Sequence, residues 1–195
     1  MDNTIKRNYK IVVSGAATTS HCCNAIEEVA RELGRQVAEH GCVLVTGATT
    51  GVPYFAALGA KDAGGVNIGF SPAESEISHL KSYRLPIKPF DVMVYTGADY
   101  VGRNVIMTKS ADGVIIACGR MGTMHEFATA FETKKPLAVL EGTGGFADKA
   151  RLVASTPCRG VKKIIYEKDP HKIVERLIQL IDKEKEVNGK VDIGQ

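Results

Sequence analysis

Apolar residues along this chain fall into two alternating patterns. Short, mostly apolar runs stand at residues 11–13, 43–45, 66–70, 90–95, 114–117, 137–140 and 163–166, and their length suits β-strands. Between them lie stretches whose apolar residues recur every three or four positions, as on one face of an α-helix: residues 22–40, 52–63, 99–110, 123–131, 146–153 and 170–185. In the first, Ile26, Val29, Ala30, Leu33 and Val37 form the stripe and Gly41 supplies a stop; in the last, Ile173, Leu177, Leu180 and Ile181 do the same work. Pro53 falls in the first turn of its helix, where a missing N–H does no harm. Residues 71–89 carry three prolines and no period, and read as an irregular segment of a length that often serves function. Residues 187–195 read as a flexible tail.

Strands that are apolar throughout, rather than at alternate positions, are covered on both faces. Strand–helix alternation therefore predicts an α/β fold: a Rossmann-like, doubly wound, mostly parallel sheet of about seven strands with helices on both faces. No repeat and no linker interrupts the pattern, so one domain is expected over residues 1–195, with its core at about 9–186.

Composition narrows the classes. The chain has 195 residues, 44% hydrophobic and 24% charged, which suits a folded globular domain and not a disordered one. Its net charge of +3 comes from scattered lysines and arginines, so a nucleic-acid partner is not expected. No apolar run approaches the roughly 20 residues that span a bilayer, and the first ten residues lack the apolar core of a secretory signal. A cytoplasmic protein with no membrane partner is the expectation. Its five cysteines, at 22, 23, 42, 118 and 158, include no CxxC pair and are expected to be reduced. His21, His40, His79 and His171 show no ligand spacing with acids or cysteines, so no metal site is expected.

The chemistry should lie in the turns that follow the strands, because ligands of open parallel sheets bind beyond the strands' carboxyl ends. Three turns are unusual: Ser14-Gly15-Ala16-Ala17-Thr18-Thr19-Ser20, Thr46-Gly47-Ala48-Thr49-Thr50-Gly51 and Cys118-Gly119-Arg120-Met121-Gly122-Thr123. Small residues let backbone N–H groups approach a phosphate, and a helix N-terminus favours negative charge. One glycine-rich turn has an equally good conformational explanation. Three on one sheet edge favour a phosphorylated, nucleotide-like small molecule, held by Ser14, Gly15, Gly47, Thr49, Thr50, Gly51, Gly119, Arg120, Gly122 and Thr123. Neither a Walker motif nor a complete GxGxxG is present. Glu126 has two readings: a capping-box partner of Thr123 as N-cap, or a carboxylate facing ribose or water. Arg120 either points at the ligand or turns to solvent. Cys118 reads as a small buried filler rather than a reactive thiol.

The segment Cys118-Gly119-Arg120-Met121-Gly122-Thr123-Met124-His125-Glu126 resembles the PGGxGTxxE motif of the Lonely Guy (LOG) family, long labelled lysine decarboxylase-like. Val45-Thr46-Gly47-Ala48-Thr49-Thr50-Gly51 is similar to that family's earlier glycine-rich turn, and Arg103 matches the arginine of its RK pair. The resemblance runs from about Lys10 to Tyr166. It implies a homodimer or higher homo-oligomer, meeting through the helices at 99–110 and 123–131. It also implies hydrolysis of the N-glycosidic bond of a nucleoside 5′-monophosphate (a phosphoribohydrolase), with Arg103 and Glu126 as the catalytic pair and no cofactor. A carboxylate beside the sugar suits an oxocarbenium-like transition state. Three positions depart from the motifs: Cys118 stands for proline, Arg120 for the second glycine, and Asn104 for the lysine after the arginine. The same superfamily includes molybdenum-cofactor carrier proteins and the Rossmann-like domain of DNA-processing proteins. The alternative it implies is therefore a non-catalytic nucleotide or molybdenum-cofactor binding or carrier protein, with that cofactor as its ligand. Single-stranded DNA binding ranks third, because the near-neutral charge opposes it.

Overall fold

The computed structural model describes residues 8–155 and 164–189. Its seven strands are β1 (Lys10–Gly15), β2 (Val43–Thr46), β3 (Asn67–Ser71), β4 (Val92–Tyr95), β5 (Gly113–Ala117), β6 (Leu137–Leu140) and β7 (Ile165–Glu167). The helices are α1 (Ile26–Glu39), α2 (Val52–Asp62), α3 (Glu76–Lys81), α4 (Asp99–Ser110), α5 (Met121–Glu132), α6 (Ala150–Ala154), preceded by a 3₁₀ turn at Ala147–Lys149, and α7 (Pro170–Gly189). The strands form one sheet in the order β4-β3-β2-β1-β5-β6-β7, and every pairing is parallel. The expected Rossmann-like α/β architecture is therefore present, with no antiparallel strand among those described.

Side chains alternate across each strand, so the sheet feeds two cores. Ile11, Val13, Leu44, Ile115, Ala117, Ala138 and Leu140 face α1, α2 and α7. Val12, Val45, Val114, Ile116, Leu137 and Val139 face Met107 of α4, Phe127 of α5 and Phe146. β5 is buried at all five positions, which explains its unbroken apolar run. Burying each large aliphatic side chain stabilises the fold by about 1.5–3 kcal/mol before entropy is counted. Under one face, α1 and α2 touch backbone to backbone. A β-carbon on Gly34 would stand 1.8 Å from the Ala56 carbonyl oxygen, and one on Gly59 would stand 1.8 Å from that of Arg31.

Several boundaries differ from the periodic reading. α1 begins at Ile26 and not at residue 22, because Cys22 bridges Gly144 and the Cys23 N–H donates to the Thr143 carbonyl at 3.0 Å. The segment 71–89 is not wholly irregular. It contains α3, capped by Ser75, whose Oγ accepts from the Ser78 N–H at 3.2 Å. α7 runs on to Gly189, so residues 187–189 are helical where a loose tail was expected; the rest of that tail, Lys163 and Cys158 lie outside the described residues. No helix among the described residues is long and apolar enough to cross a membrane.

Candidate functional site

Strand order reverses between β1 and β5: β2, β3 and β4 lie on one side of β1, whereas β5, β6 and β7 lie on the other. The chain leaves these two neighbours in opposite directions and opens a crevice at their carboxyl ends. A cleft of about 200 Å³ lies there, lined by Gly15, Ala16 and Ala17 after β1, Thr49 after β2, Tyr100, Arg103 and Asn104 of α4, and Arg120, Gly122, Thr123 and Glu126 at the start of α5. Ligand pockets commonly enclose about 300–1,000 Å³, so this cleft suits part of a nucleotide-sized molecule.

A buried charged pair lines it. Arg103 and Glu126 are only 4% and 6% exposed. The Ser14 hydroxyl donates to Glu126 Oε2. Burial pushes the Glu126 carboxyl above the usual carboxylate range, and the charge of Arg103 and the Ser14 hydrogen bond pull it only part of the way back. Burial likewise lowers the Arg103 guanidinium, against the opposing pull of Glu126. Arg103 Nη1 donates to the Phe70 carbonyl at 3.3 Å, and its guanidinium lies 5.8 Å from the centre of the Tyr100 ring. Arg103 Nε and Asn104 Oδ1 are buried without a hydrogen-bond partner among the described residues.

The glycine-rich turns divide into two kinds of residue. Gly15, Thr49, Arg120, Gly122 and Thr123 line the cleft with Arg103 and Glu126, whereas Ser14, Gly47, Thr50, Gly51 and Gly119 are not among its lining residues. Gly47 makes room for the arginine, since a β-carbon there would lie 1.7 Å from Arg103 Nη1. Gly51, at φ 69°, packs on the Ala16 and Ala17 backbone, and the Thr50 hydroxyl donates to the Ala17 carbonyl at 2.9 Å. Gly119, at φ 96°, packs against Thr123. Arg120 is exposed at the rim and lines the cleft; it makes no ion pair among the described residues. Tyr100 lines the cleft with no signal in the sequence beyond its place three residues before Arg103 on α4, and Asn104, the departure from the RK pair, lines it as well.

Two expectations are overturned here. Helix α5 begins at Met121 with Arg120 at its N-cap, so Thr123 is not the cap and makes no capping bond to its helix. Glu126 therefore stands beyond the first turn, and its bond to Ser14 on β1 replaces the capping-box role. Cys118 is not a reduced filler either. It forms a disulfide with Cys22, with Cα atoms 5.7 Å apart and a sequence separation of 96, because pairing of β1 with β5 brings their following turns together. Cys118 also has φ 53°, a conformation closed to the proline of the LOG motif, whose ring holds φ near −65°.

Residues 8–174 match the model of the SLOG cluster4 family. An uncharacterized protein of Archaeoglobus fulgidus is 29% identical over 132 residues, covering 68% of this chain and 82% of that protein. Two solved structures are similar over nearly their whole length. The molybdenum cofactor binding protein of the phototrophic bacterium Rippkaea orientalis is 27% identical, with 90% of this chain and 98% of that one covered and a TM-score of 0.73. The molybdenum cofactor carrier protein of Chlamydomonas reinhardtii is 28% identical, with 90% and 99% covered and a TM-score of 0.69.

Proposed function

The chain belongs to the SLOG cluster4 family, and from that premise we propose that it binds the molybdenum cofactor, a phosphorylated pterin, and carries it chemically unchanged. The observation that carries this reading is the pair of buried polar atoms on two cleft-lining side chains, Arg103 Nε and Asn104 Oδ1, which have no partner among the described residues. An unpaired buried donor or acceptor costs about 1–3 kcal/mol, so a turn of these two side chains that pairs them on a ligand recovers that energy. Arg120 at the rim adds a cation for a phosphate, and Gly122 and Thr123 open α5 beside it. The likeness to two molybdenum-cofactor proteins along nearly the whole chain supports the choice of ligand. Glu126 also fits a carrier, because it is buried and its Oε2 is already engaged by the Ser14 hydroxyl.

The second reading is LOG-like hydrolysis of a nucleoside 5′-monophosphate. One observation favours it: Glu126 and Arg103 share the cleft, and a raised carboxyl can protonate a leaving base. Protein purified from a molybdenum-cofactor-producing host separates the two. A carrier holds about one pterin per chain, seen by fluorescence after oxidative release, and Arg103→Ala loses it. Free-base release from nucleoside 5′-monophosphates, abolished by Glu126→Gln and with no pterin retained, would replace the carrier with the hydrolase.

A further inference from the structure

Behind the Cys118–Gly119 turn, outside the cleft lining, three side chains of metal-binding chemistry converge. A ring nitrogen of His21 and the sulfurs of Cys22 and Cys118 all lie within 4.8 Å of one another. Three loops hold them there. Cys22 bridges Gly144 after β6, the Cys23 N–H donates to the Thr143 carbonyl at 3.0 Å, and the Cys118 N–H donates to Thr143 Oγ1 at 2.8 Å. None of these contacts uses a cysteine sulfur, so they position the cysteines whether or not the S–S bond is closed. Cys118 keeps a side chain at φ 53°, a conformation that glycine adopts more readily. The group grades from a buried Cys118 through a half-buried Cys22 to an exposed His21, and this leaves a solvent side for a fourth ligand.

We propose that the reduced chain binds a thiophilic cation of the Zn²⁺ class through His21, Cys22 and Cys118, and that closing the Cys22–Cys118 disulfide expels it. The redox step needs a thiol, R–SH. Its thiolate attacks the half-exposed Cys22 sulfur, the S–S bond breaks, and a second R–SH releases R–S–S–R, leaving two protein thiols. Zn²⁺ then displaces both S–H protons into solvent and accepts the imidazole lone pair, as in sites of three protein ligands and one water. Oxidation by R–S–S–R runs the sequence backwards, since a disulfide sulfur carries no charge with which to hold the ion.

Titration of the full chain with Co²⁺ and then Zn²⁺ tests the proposal, after phosphine reduction and anaerobic desalting. The reduced chain should take up about one Co²⁺ with a thiolate-to-cobalt charge-transfer band that Zn²⁺ erases, and the oxidised chain should take up none. Cys23→Ser should leave the titration unchanged, Cys22→Ser should abolish the band, and His21→Asn should weaken binding on the order of tenfold or more. The exposed His21 keeps the test usable if a cysteine variant fails to fold. A reduced chain without the band, a disulfide that resists the phosphine in the folded protein, or His21→Asn titrating like the parent would each overturn the site.

Discussion

At Gly47 a β-carbon would stand 1.7 Å from Nη1 of Arg103, whereas at Gly122 it would meet nothing within 4 Å. The two glycines look alike in sequence and differ in what they do. Gly47 accommodates a buried cation; Gly122 faces open space at the start of α5. Gly47→Ala should displace the guanidinium from the cleft and weaken binding of a phosphorylated pterin about tenfold to a hundredfold, as expected for loss of a charge-assisted contact. Gly122→Ala should leave the melting temperature unchanged or slightly higher, because alanine favours a helix over glycine by up to about 1 kcal/mol. Calorimetric titration and thermal melts of both variants check this. Equal affinity in Gly47→Ala and the parent would remove Arg103 from the ligand site.

Between elements, Asp112 ties the start of β1 to the opposite end of the chain. It accepts from the Lys10 backbone N–H at 2.9 Å and from Lys10 Nζ at 2.8 Å, and it pairs with Lys185 of α7 at 3.2 Å. Burial pushes its carboxyl up, but the hydrogen bonds from Lys10 and Lys185 outweigh burial and hold it below its ordinary range. A depressed folded value means stability that is present above the unfolded value, near 3.9, and lost as pH falls through the folded one. Asp112→Asn should therefore cost about 1 kcal/mol at pH 7, roughly 2–4 °C in melting temperature. The gap between variant and parent should close as the pH is lowered below about 4. Melts of both proteins from pH 7 to pH 3 give the answer, and a gap that stays constant would contradict the assignment.

Over the whole molecule, the Cys22–Cys118 bond closes a loop with a sequence separation of 96. It joins the two turns that flank the reversal of strand order. A link of that span restricts the unfolded chain and contributes about 2–5 kcal/mol. Reduction should lower the melting temperature by about 5–15 °C. Zn²⁺ added to the reduced chain should restore part of that loss, because a ligand held only by the folded state stabilises it. Calorimetric scans of oxidised, reduced and reduced-plus-zinc protein measure all three. Identical scans with and without the phosphine would mean that the bond contributes nothing to the fold.

Periodicity is a local property, so the seven strands, the six longer helical stretches and the parallel α/β class could be read from residue spacing alone. The same holds for the glycine-rich turns and for Glu126, because strand ends and helix starts are marked by nearby residues; Arg103 was marked only by the resemblance to the LOG motif. α3 escaped that reading because it is one short helix inside a polar, proline-bearing segment with no period of its own. Other features depended on which turns become neighbours. Pairing of Ile11–Gly15 with Gly113–Ala117 sets Ser14 against Glu126 and Cys22 against Cys118. Burial between those layers then raises the glutamate and lowers the arginine. The sequence determined the elements and the chemistry each turn carries. Only the tertiary structure decided which glycines face the cleft, which cysteines meet and which groups surround Glu126, because those depend on distances between residues far apart in the chain.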